Sequence, residues 1–479
     1  LNYTNQFRFA NETTIINNIH LFRDSLLLTG EVGVDSSGVS GILVATMDTN
    51  GIFGNIAVFR DPSGADNLLL SGNSPVLINE HSHIILAGTL LSKDDLFILS
   101  IDPNLNLIFY TEYQSQFRSM YIDGFIEMFD SYYAVGTVQT QSNDLNIFVQ
   151  KIAADGNSIW MKTYGNPDRD ESGFSVILDF DGLTVRAVKH YNPTPSIKND
   201  TRYWTQFMHI DTSGAVKWIW EEEVTGEEGY GDAFVKYGTD YIYTTNFLGD
   251  EYNAGILQAA QLVRRDSAFN LVWRKVYGEP NNFYNGFGDI IMSSDSHILL
   301  AGQILDDSED FNWARVMKIC PNGEIVCEIR DTGYVLPNGE SLNRMEGIVE
   351  SPSGSIYAVG YTNRSLFLYD GLILKVNLDG CIDTLCTITD IEDHIRLQED
   401  LVLLYPNPVR SALQISISEN VSLPVLVSVH DVHGRQLHKT WIHQHSASVD
   451  LSGLVSGPYY VVTEKNGSIL HAQTIVKLE

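Results

Sequence analysis

The chain has no run of 18 apolar residues, so none of it can cross a bilayer as a helix. It is also poor in positive charge. Only 30 Lys and Arg stand against 60 Asp and Glu in 479 residues, a formal charge of −30. Such a surface repels phosphate backbones and anionic headgroups, which excludes nucleic acid and acidic membranes as partners. No Gly-x-Ser-x-Gly elbow, His-Glu-x-x-His pair or phosphate-binding loop occurs, so no reaction class announces itself by motif. Asp155-Gly156 and Trp160 stand too far apart for a sialidase Asp box and read as a hairpin turn.

Cysteine is scarce as well. Cys320 and Cys327 enclose six residues, and Cys381 and Cys386 enclose four. Without Cys-x-x-Cys spacing or a histidine at zinc-finger distance, no zinc site is predicted. Two local disulfides in an oxidising compartment are expected, although three pairings are possible in principle. The first residues, Leu1-Asn2-Tyr3, lack a methionine and read as a chain whose export signal has been removed.

Metal ligands are equally sparse in pattern. His443 and His445 would share one face of a strand, but no carboxylate or cysteine pattern accompanies them, so they are read as surface residues. The acidic groups are Glu221-Glu222-Glu223 with Glu227-Glu228, and Asp306-Asp307 with Glu309-Asp310. They lack the order of a dedicated calcium loop, and Asp179-Phe180-Asp181-Gly182 holds only a fragment of it. No cofactor is predicted; calcium is the one ion these loops could take.

What the chain does have is a repeat. Hydrophobic residues at 44% and aromatics at 11% describe a folded protein. An apolar run, a small residue and a glycine recur, ending at Gly30, Gly88, Gly136, Gly302 and Gly360. Their spacings are 58, 48, 166 and 58, and the long gap leaves room for two copies that have lost the glycine, at Val185–Val188 and Tyr241–Thr244. About 20 residues after each run comes a turn, such as Asp48-Thr49-Asn50-Gly51, Asp211-Thr212-Ser213-Gly214 or Asp266-Ser267-Ala268. Asp-Gly and Asn-Gly supply the positive φ that tight hairpins need. A further strand follows, often carrying an aromatic residue (Phe109, Trp160, Trp218, Trp273).

Four short strands repeated seven times predict an all-β protein, a seven-bladed β-propeller. Gln6–Phe9 alternates and should close the ring on the last blade. Lys151–Trp160 followed by Tyr164-Gly165 resembles the propeller repeats of large secreted bacterial proteins. That resemblance spans about residues 15–386 and implies a fold, not a function.

The expected organisation is a propeller over 1–388, a linker over 389–402 and a small Ig-like β-sandwich over 403–479. The last segment alternates along its strands, with regular turn signals. Its motifs are Tyr405-Pro406-Asn407-Pro408, Asp431 and Gly434 at a turn, Gly457 and Tyr459, and Lys477 near the end. Together these resemble the type A sorting domain of the type IX secretion system of Bacteroidota. The resemblance implies export through the periplasm, reading by an outer-membrane translocon, and cutting by a sortase near the linker. The protein would end at the cell surface or in the medium.

For the propeller, two uses are weighed. The preferred one is a non-catalytic binding or adhesion module for a glycan or a surface protein. The alternative is a polysaccharide hydrolase or lyase, with carboxylates meeting in the channel. The candidate ligand-binding rings are Tyr203, Trp204, Tyr230, Tyr252, Tyr284 and Trp313, on the longer loops that should gather on one face. No catalytic residue is nominated.

Overall fold

The computed structural model describes residues 3–9, 12–33, 40–64, 66–70, 76–79, 81–166, 169–179, 181–191, 202–222, 233–248, 258–278, 286–306, 311–331, 342–365, 368–376, 402–405, 409–418, 421, 423–430, 436–465 and 468–478. The chain divides into two compact units, Leu1–Cys386 and Thr387–Glu479. The predicted linker lies almost wholly outside the described residues, and the second unit's first strand already begins at Val402.

The first unit is a meander of antiparallel strands, four to a sheet, repeated seven times. Blade 1 runs Thr13–Phe22, Ser25–Gly33, Gly41–Met47, Phe53–Phe59, and blade 3 runs Ser119–Met128, Ser131–Gln139, Leu145–Ala153, Ser158–Tyr164. Blade 4 runs Asp170–Asp179, Gly182–Tyr191, Arg202–Asp211, Val216–Glu221, and blade 5 runs Phe234–Tyr237, Asp240–Leu248, Gln258–Arg265, Leu271–Tyr277. Blade 6 runs Gly286–Met292, Ile298–Asp306, Phe311–Ile319, Ile325–Asp331. In blade 2 the first strand is split into Leu68–Leu69 and Val76–Ile78, ahead of Ile84–Leu90, Asp95–Ile101 and Leu107–Tyr113. Blade 7 has only three strands of its own, Asn343–Glu350, Ile356–Ser365 and Leu368–Val376. Its fourth is Tyr3–Phe7, paired antiparallel to the third from Tyr3↔Lys375 to Phe7↔Gly371. The predicted ring closure is therefore present. Arg8 reinforces it with a two-pronged bond to Asp370, at 2.8 and 2.6 Å.

Burial explains the strand composition. Second and third strands are covered on both faces by adjoining blades, so they read as continuous apolar runs. All seven residues of Ile84–Leu90 and of Asp95–Ile101 are buried. Fourth strands face solvent and alternate, as Val216–Glu221 does.

The repeated glycine has a specific cause. In blades 1, 3, 6 and 7 the innermost strand carries a β-bulge opposite it: in blade 1 Ile16 pairs with Gly30 and Asn18 with Thr29, leaving Asn17 unpaired. The same skip occurs at Asp123 facing Gly136, Gly288 facing Gly302 and Glu346 facing Gly360. The bulge presses backbone onto backbone. A Cβ on Gly136 would sit 1.9 Å from the Tyr121 carbonyl oxygen, and one on Gly360 would sit 1.8 Å from that of Arg344. Blade 4 moves the glycine to the other strand, where Gly173 pairs with Ala187 beside the bulge at Phe174. The gap in blade 2 opens at the equivalent place, beside Gly88.

The hairpin turns between third and fourth strands are Asx turns. Asp48, Asp211 and Asp266 each accept from the N–H groups two and four residues on, at 2.8–3.0 Å. Gly51, Gly156, Gly214 and Gly323 supply positive φ there, at 89°, 84°, 76° and 83°. The Tyr that closes many fourth strands also acquires a role. Tyr113, Tyr164 and Tyr277 donate to the carbonyls of Gly156, Gly214 and Gly323 in the next blade's turn, at 2.5, 2.9 and 2.8 Å. Blade 7 latches onto blade 1 through Tyr357 and Lys375, both donating to Thr49.

The second unit is a sandwich of two antiparallel sheets. One holds Val402–Tyr405, Ala412–Ile417 and Ser446–Asp450; the other holds Gln436–Ile442, Val425–His430, Gly457–Lys465 and Ser468–Lys477. Val402, Leu413, Ile415, Val427, Val429, Val461 and Ile475 fill the space between them.

The bulge explanation predicts that Gly136→Ala lowers unfolding free energy by about 2–3 kcal/mol, since the clash is with backbone. Gly286→Ala, where nothing lies within 4 Å of the added methyl, should stay within about 0.5 kcal/mol of the parent. Urea midpoints of the two variants decide it, and equal losses would contradict the bulge as the cause.

Candidate functional site

Two cavities of the propeller are lined by described residues throughout. The first is the axial channel, about 590 Å³, to which every blade contributes its innermost strand. Its wall is mostly aliphatic, including Ile19, Leu77, Ile126, Val176, Ile290 and Val349. The polar groups in it are Asn18, His20, Asp123, Ser175 and Asp289. Burial lowers the His20 pKa to about 4 and raises that of Asp289 to about 7. Asp289 accepts from Ile290 N at 2.8 Å and from Ile348 N in blade 7 at 3.0 Å. This carboxyl is thus a tie between two blades, and both its oxygens are engaged. Glu31 behaves alike: burial raises it to about 7, and it accepts from Leu70 N of blade 2 at 2.9 Å.

The second cavity, about 540 Å³, opens on the face that carries the hairpin turns, at the seam between blades 4 and 5. The two blades that lost the repeat glycine meet here, and the seam is built unlike the others. Aromatic rings and paired charges replace the aliphatic packing. Phe207 and Tyr243 are fully buried at its centre. Arg265 lies 4.6 Å over the Trp220 ring and reaches Glu222 at 3.3 Å, and Arg274 meets Glu222 at 2.5 Å. Arg264 pairs with Asp240 at 2.8 Å with both side chains buried.

Five rings line the pocket, those of His209, Trp218, Trp220, Tyr241 and Phe269. Trp218 lies parallel to His209 at 5.4 Å, Trp220 parallel to Phe269 at 4.9 Å, and Tyr241 parallel to Phe269 at 4.8 Å. Phe269 stands where four other turns have glycine, with φ at 63°. A side chain pays a steric cost in that left-handed region, and here the ring is held by its neighbours on both sides.

The polar side of the pocket comes from the first hairpin of blade 4. Asp179 accepts from Lys236 at 2.6 Å and from Thr184 at 2.8 Å. Asp181 is mostly exposed and meets His209 Nε2 at 2.8 Å, while His209 Nδ1 faces the Thr184 hydroxyl at 3.1 Å. Lys217 pairs with Asp211 at 2.8 Å, which with the Ser213 hydroxyl holds that carboxyl well below the usual range. Flat rings beside carboxylate, ammonium and hydroxyl groups suit a ligand with one apolar face and a hydroxylated edge.

The expected site residues fare differently. Trp204 is only 3% exposed and is covered by the Arg169 guanidinium at 5.2 Å, so it is packing and presents no open face to a ligand. Trp313 sits in the third strand of blade 6 opposite Ile304, half-buried with its Nε1 out of contact with solvent. The Tyr203 backbone pairs with His190 in blade 4, and its side chain lies outside the described residues, as do Tyr230, Tyr252 and Tyr284. Glu221 and Glu222, read as half of a cation loop, are instead matched by Lys189 at 2.5 Å and by Arg265 and Arg274. Among the described residues no group of three His, Cys, Asp or Glu is placed to hold a metal ion. Neither Cys320 nor Cys327 is a free thiol, and Cys381 and Cys386 lie outside the described residues. Sequence reasoning passed over Phe269, His209 and Lys236. The missing glycine after Asp266 was the available signal.

In the second unit two of the described motif residues, Gly457 and Lys477, face each other across a strand pair. Gly457, with φ at 152°, opens one strand opposite Lys477 at the close of another. Val409, just beyond Tyr405-Pro406-Asn407-Pro408, bridges to Lys477 and accepts from Leu478 N at 2.8 Å. Tyr459 is buried and donates its hydroxyl to Val455 at 2.8 Å. Tyr405 pairs with Gln414; Pro406–Pro408, Asp431 and Gly434 lie outside the described residues.

Comparison with known proteins adds one firm assignment. Residues 403–477 match the family described as the secretion system C-terminal sorting domain. The second unit is that domain, and the protein is type IX secretion cargo, secreted or held at the cell surface. No helix in the described residues is long and apolar enough to span a membrane. No curated relative matches the chain. Among solved structures, Drosophila Semaphorin 2a is 8% identical with a TM-score of 0.46, covering 99% of this chain and 98% of its own. The β-propeller domain of the Trilobed protease from Pyrococcus furiosus is 11% identical with a TM-score of 0.42, covering 78% and 99%. The Trypanosoma rangeli sialidase, solved with the inhibitor DANA, is 8% identical with a TM-score of 0.38, covering 90% and 86%. At such values the fold assignment rests on the strand order itself.

Asp289 supplies a pH prediction. Its native pKa of about 7 lies above the unfolded value of about 4. The native state therefore holds a proton that the unfolded chain releases, and this group's contribution to stability falls as pH rises from about 4 to about 7. Asp289→Asn should flatten the pH dependence of the urea midpoint across that window, with the share due to Glu31 remaining. An unchanged slope would show that the carboxyl is ionised in the native protein.

Proposed function

We propose that the propeller is a non-catalytic binding module for glycan, delivered to the surface or medium by the sorting domain, with the blade 4–5 seam as its binding site. One observation carries this reading: the repeat breaks at that seam, and the break places Trp218, Trp220 and Phe269 beside Asp179, Asp181 and Lys217. Elsewhere in the ring the repeat positions are held mainly by aliphatic residues and glycine, with aromatic rings scattered among them. A seam that departs from both, and opens a pocket, has been shaped for something besides closure. The channel, mostly aliphatic and with Asp289 tied to backbone, offers no comparable surface. The cysteines fit the extracellular setting: the bonded state of Cys320 and Cys327 supports disulfides in an oxidising compartment, which peptide mapping without reductant would reveal.

The test is a pull-down of the full chain on insoluble polysaccharides, with reducing-end release measured in the same samples. Retention without release is the expected result. Release of sugar would overturn the non-catalytic reading and return attention to Asp179 and Asp181 as an acid and base pair.

A further inference from the structure

Resting on that reading, we infer that the seam pocket selects sugars without negative charge, taking a neutral or amine-bearing pyranose and rejecting uronates and sulfated sugars. The reasoning is electrostatic. Every cation at the site is already matched. Lys217 is paired with Asp211 at 2.8 Å, and Lys236 with Asp179 at 2.6 Å. Among the described residues no arginine lines the pocket; Arg264, Arg265 and Arg274 of the seam are committed to Asp240 and Glu222, and Arg186 is fully buried over the Tyr243 ring. Three carboxylates therefore face two ammonium groups. An incoming carboxylate or sulfate would have to break one of these pairs, leaving an aspartate without its partner.

The remaining hydrogen-bonding capacity points the same way. The Asp181 side chain is 63% exposed, so its oxygens can accept from a ligand as well as from His209. Acceptors of this kind match hydroxyl and ammonium donors, and a hydrogen bond to a charged group contributes more than one between neutral groups. Trp218 and Trp220 are half-buried in the adjacent wall, where a pyranose can lay its C–H face while its hydroxyl edge meets Asp181. The field of the whole protein, −30 in formal charge, adds a long-range bias against anions.

The experiment is a calorimetric titration of the full chain with neutral gluco- and manno-oligosaccharides and with oligogalacturonates of equal length, at low salt and at 0.5 M salt. Asp181→Asn and Trp218→Ala are titrated beside the parent, and their melting temperatures are recorded. Neutral sugars should bind and oligogalacturonates should not at either salt. Asp181→Asn, an exposed change that leaves the fold intact, should weaken binding about 10-fold. Oligogalacturonate binding that both substitutions abolish would keep the site and overturn the ligand class. Neutral-sugar binding untouched by Asp181→Asn, and by Trp218→Ala with an unchanged melt, would overturn the site itself. No binding of any neutral probe at millimolar concentration would overturn the inference.

Discussion

Each blade of this propeller depends on its neighbours to cover both of its faces. The second and third strands are apolar on both sides, and a single blade could shield neither. The cost of exposing those faces, at about 25 cal/mol per Å², is what forces the chain into a closed ring. From this follow the other features. The ring must be shut by a strand from the far end of the chain, and Tyr3–Phe7 does so beside Leu368–Val376. The innermost strands must converge without clashing, and the bulges opposite Gly30, Gly136, Gly302 and Gly360 let them. The tyrosine latches from one fourth strand to the next blade's turn hold the periphery in register.

How much of this could be read beforehand depends on the range of the interaction. Hairpins are local, so Asp-x-x-Gly turns and alternating strands announced four strands per repeat. The closing strand was legible because an alternating segment stood outside any repeat. The glycines were legible as a pattern, but their cause was not, since the bulge they accommodate lies on a different strand. The tyrosine of Tyr-Gly was likewise visible as a motif, while its partner, a glycine carbonyl some 40–50 residues on, could not be deduced from spacing.

The pocket was illegible for a related reason. Its parts come from the first hairpin and the third and outer strands of blade 4, and from the second strand and a turn of blade 5, brought together by the ring alone. Aromatic content drew attention to the long loops of the opposite face, yet Trp204 proved to be packed under Arg169. The informative residues were those that broke the repeat. Phe269 occupies a glycine position, Ala187 stands where other blades carry the axial glycine, and Glu222 breaks the aliphatic seam. In a repeat protein the consensus describes the scaffold, and departures from it that cluster in space mark candidate sites.

The sorting domain shows the converse. Gly457, Tyr459 and Lys477 were recognisable as motifs because each has a structural duty: a strand entry, a buried ring and a closing pair. The reading of the propeller as a binding module is tested most directly by a crystal structure of the full chain grown with a neutral oligosaccharide. Density for a sugar ring against Trp218 and Trp220, with a hydroxyl on Asp181, is the predicted result. Density confined to the axial channel or to the opposite face would contradict it.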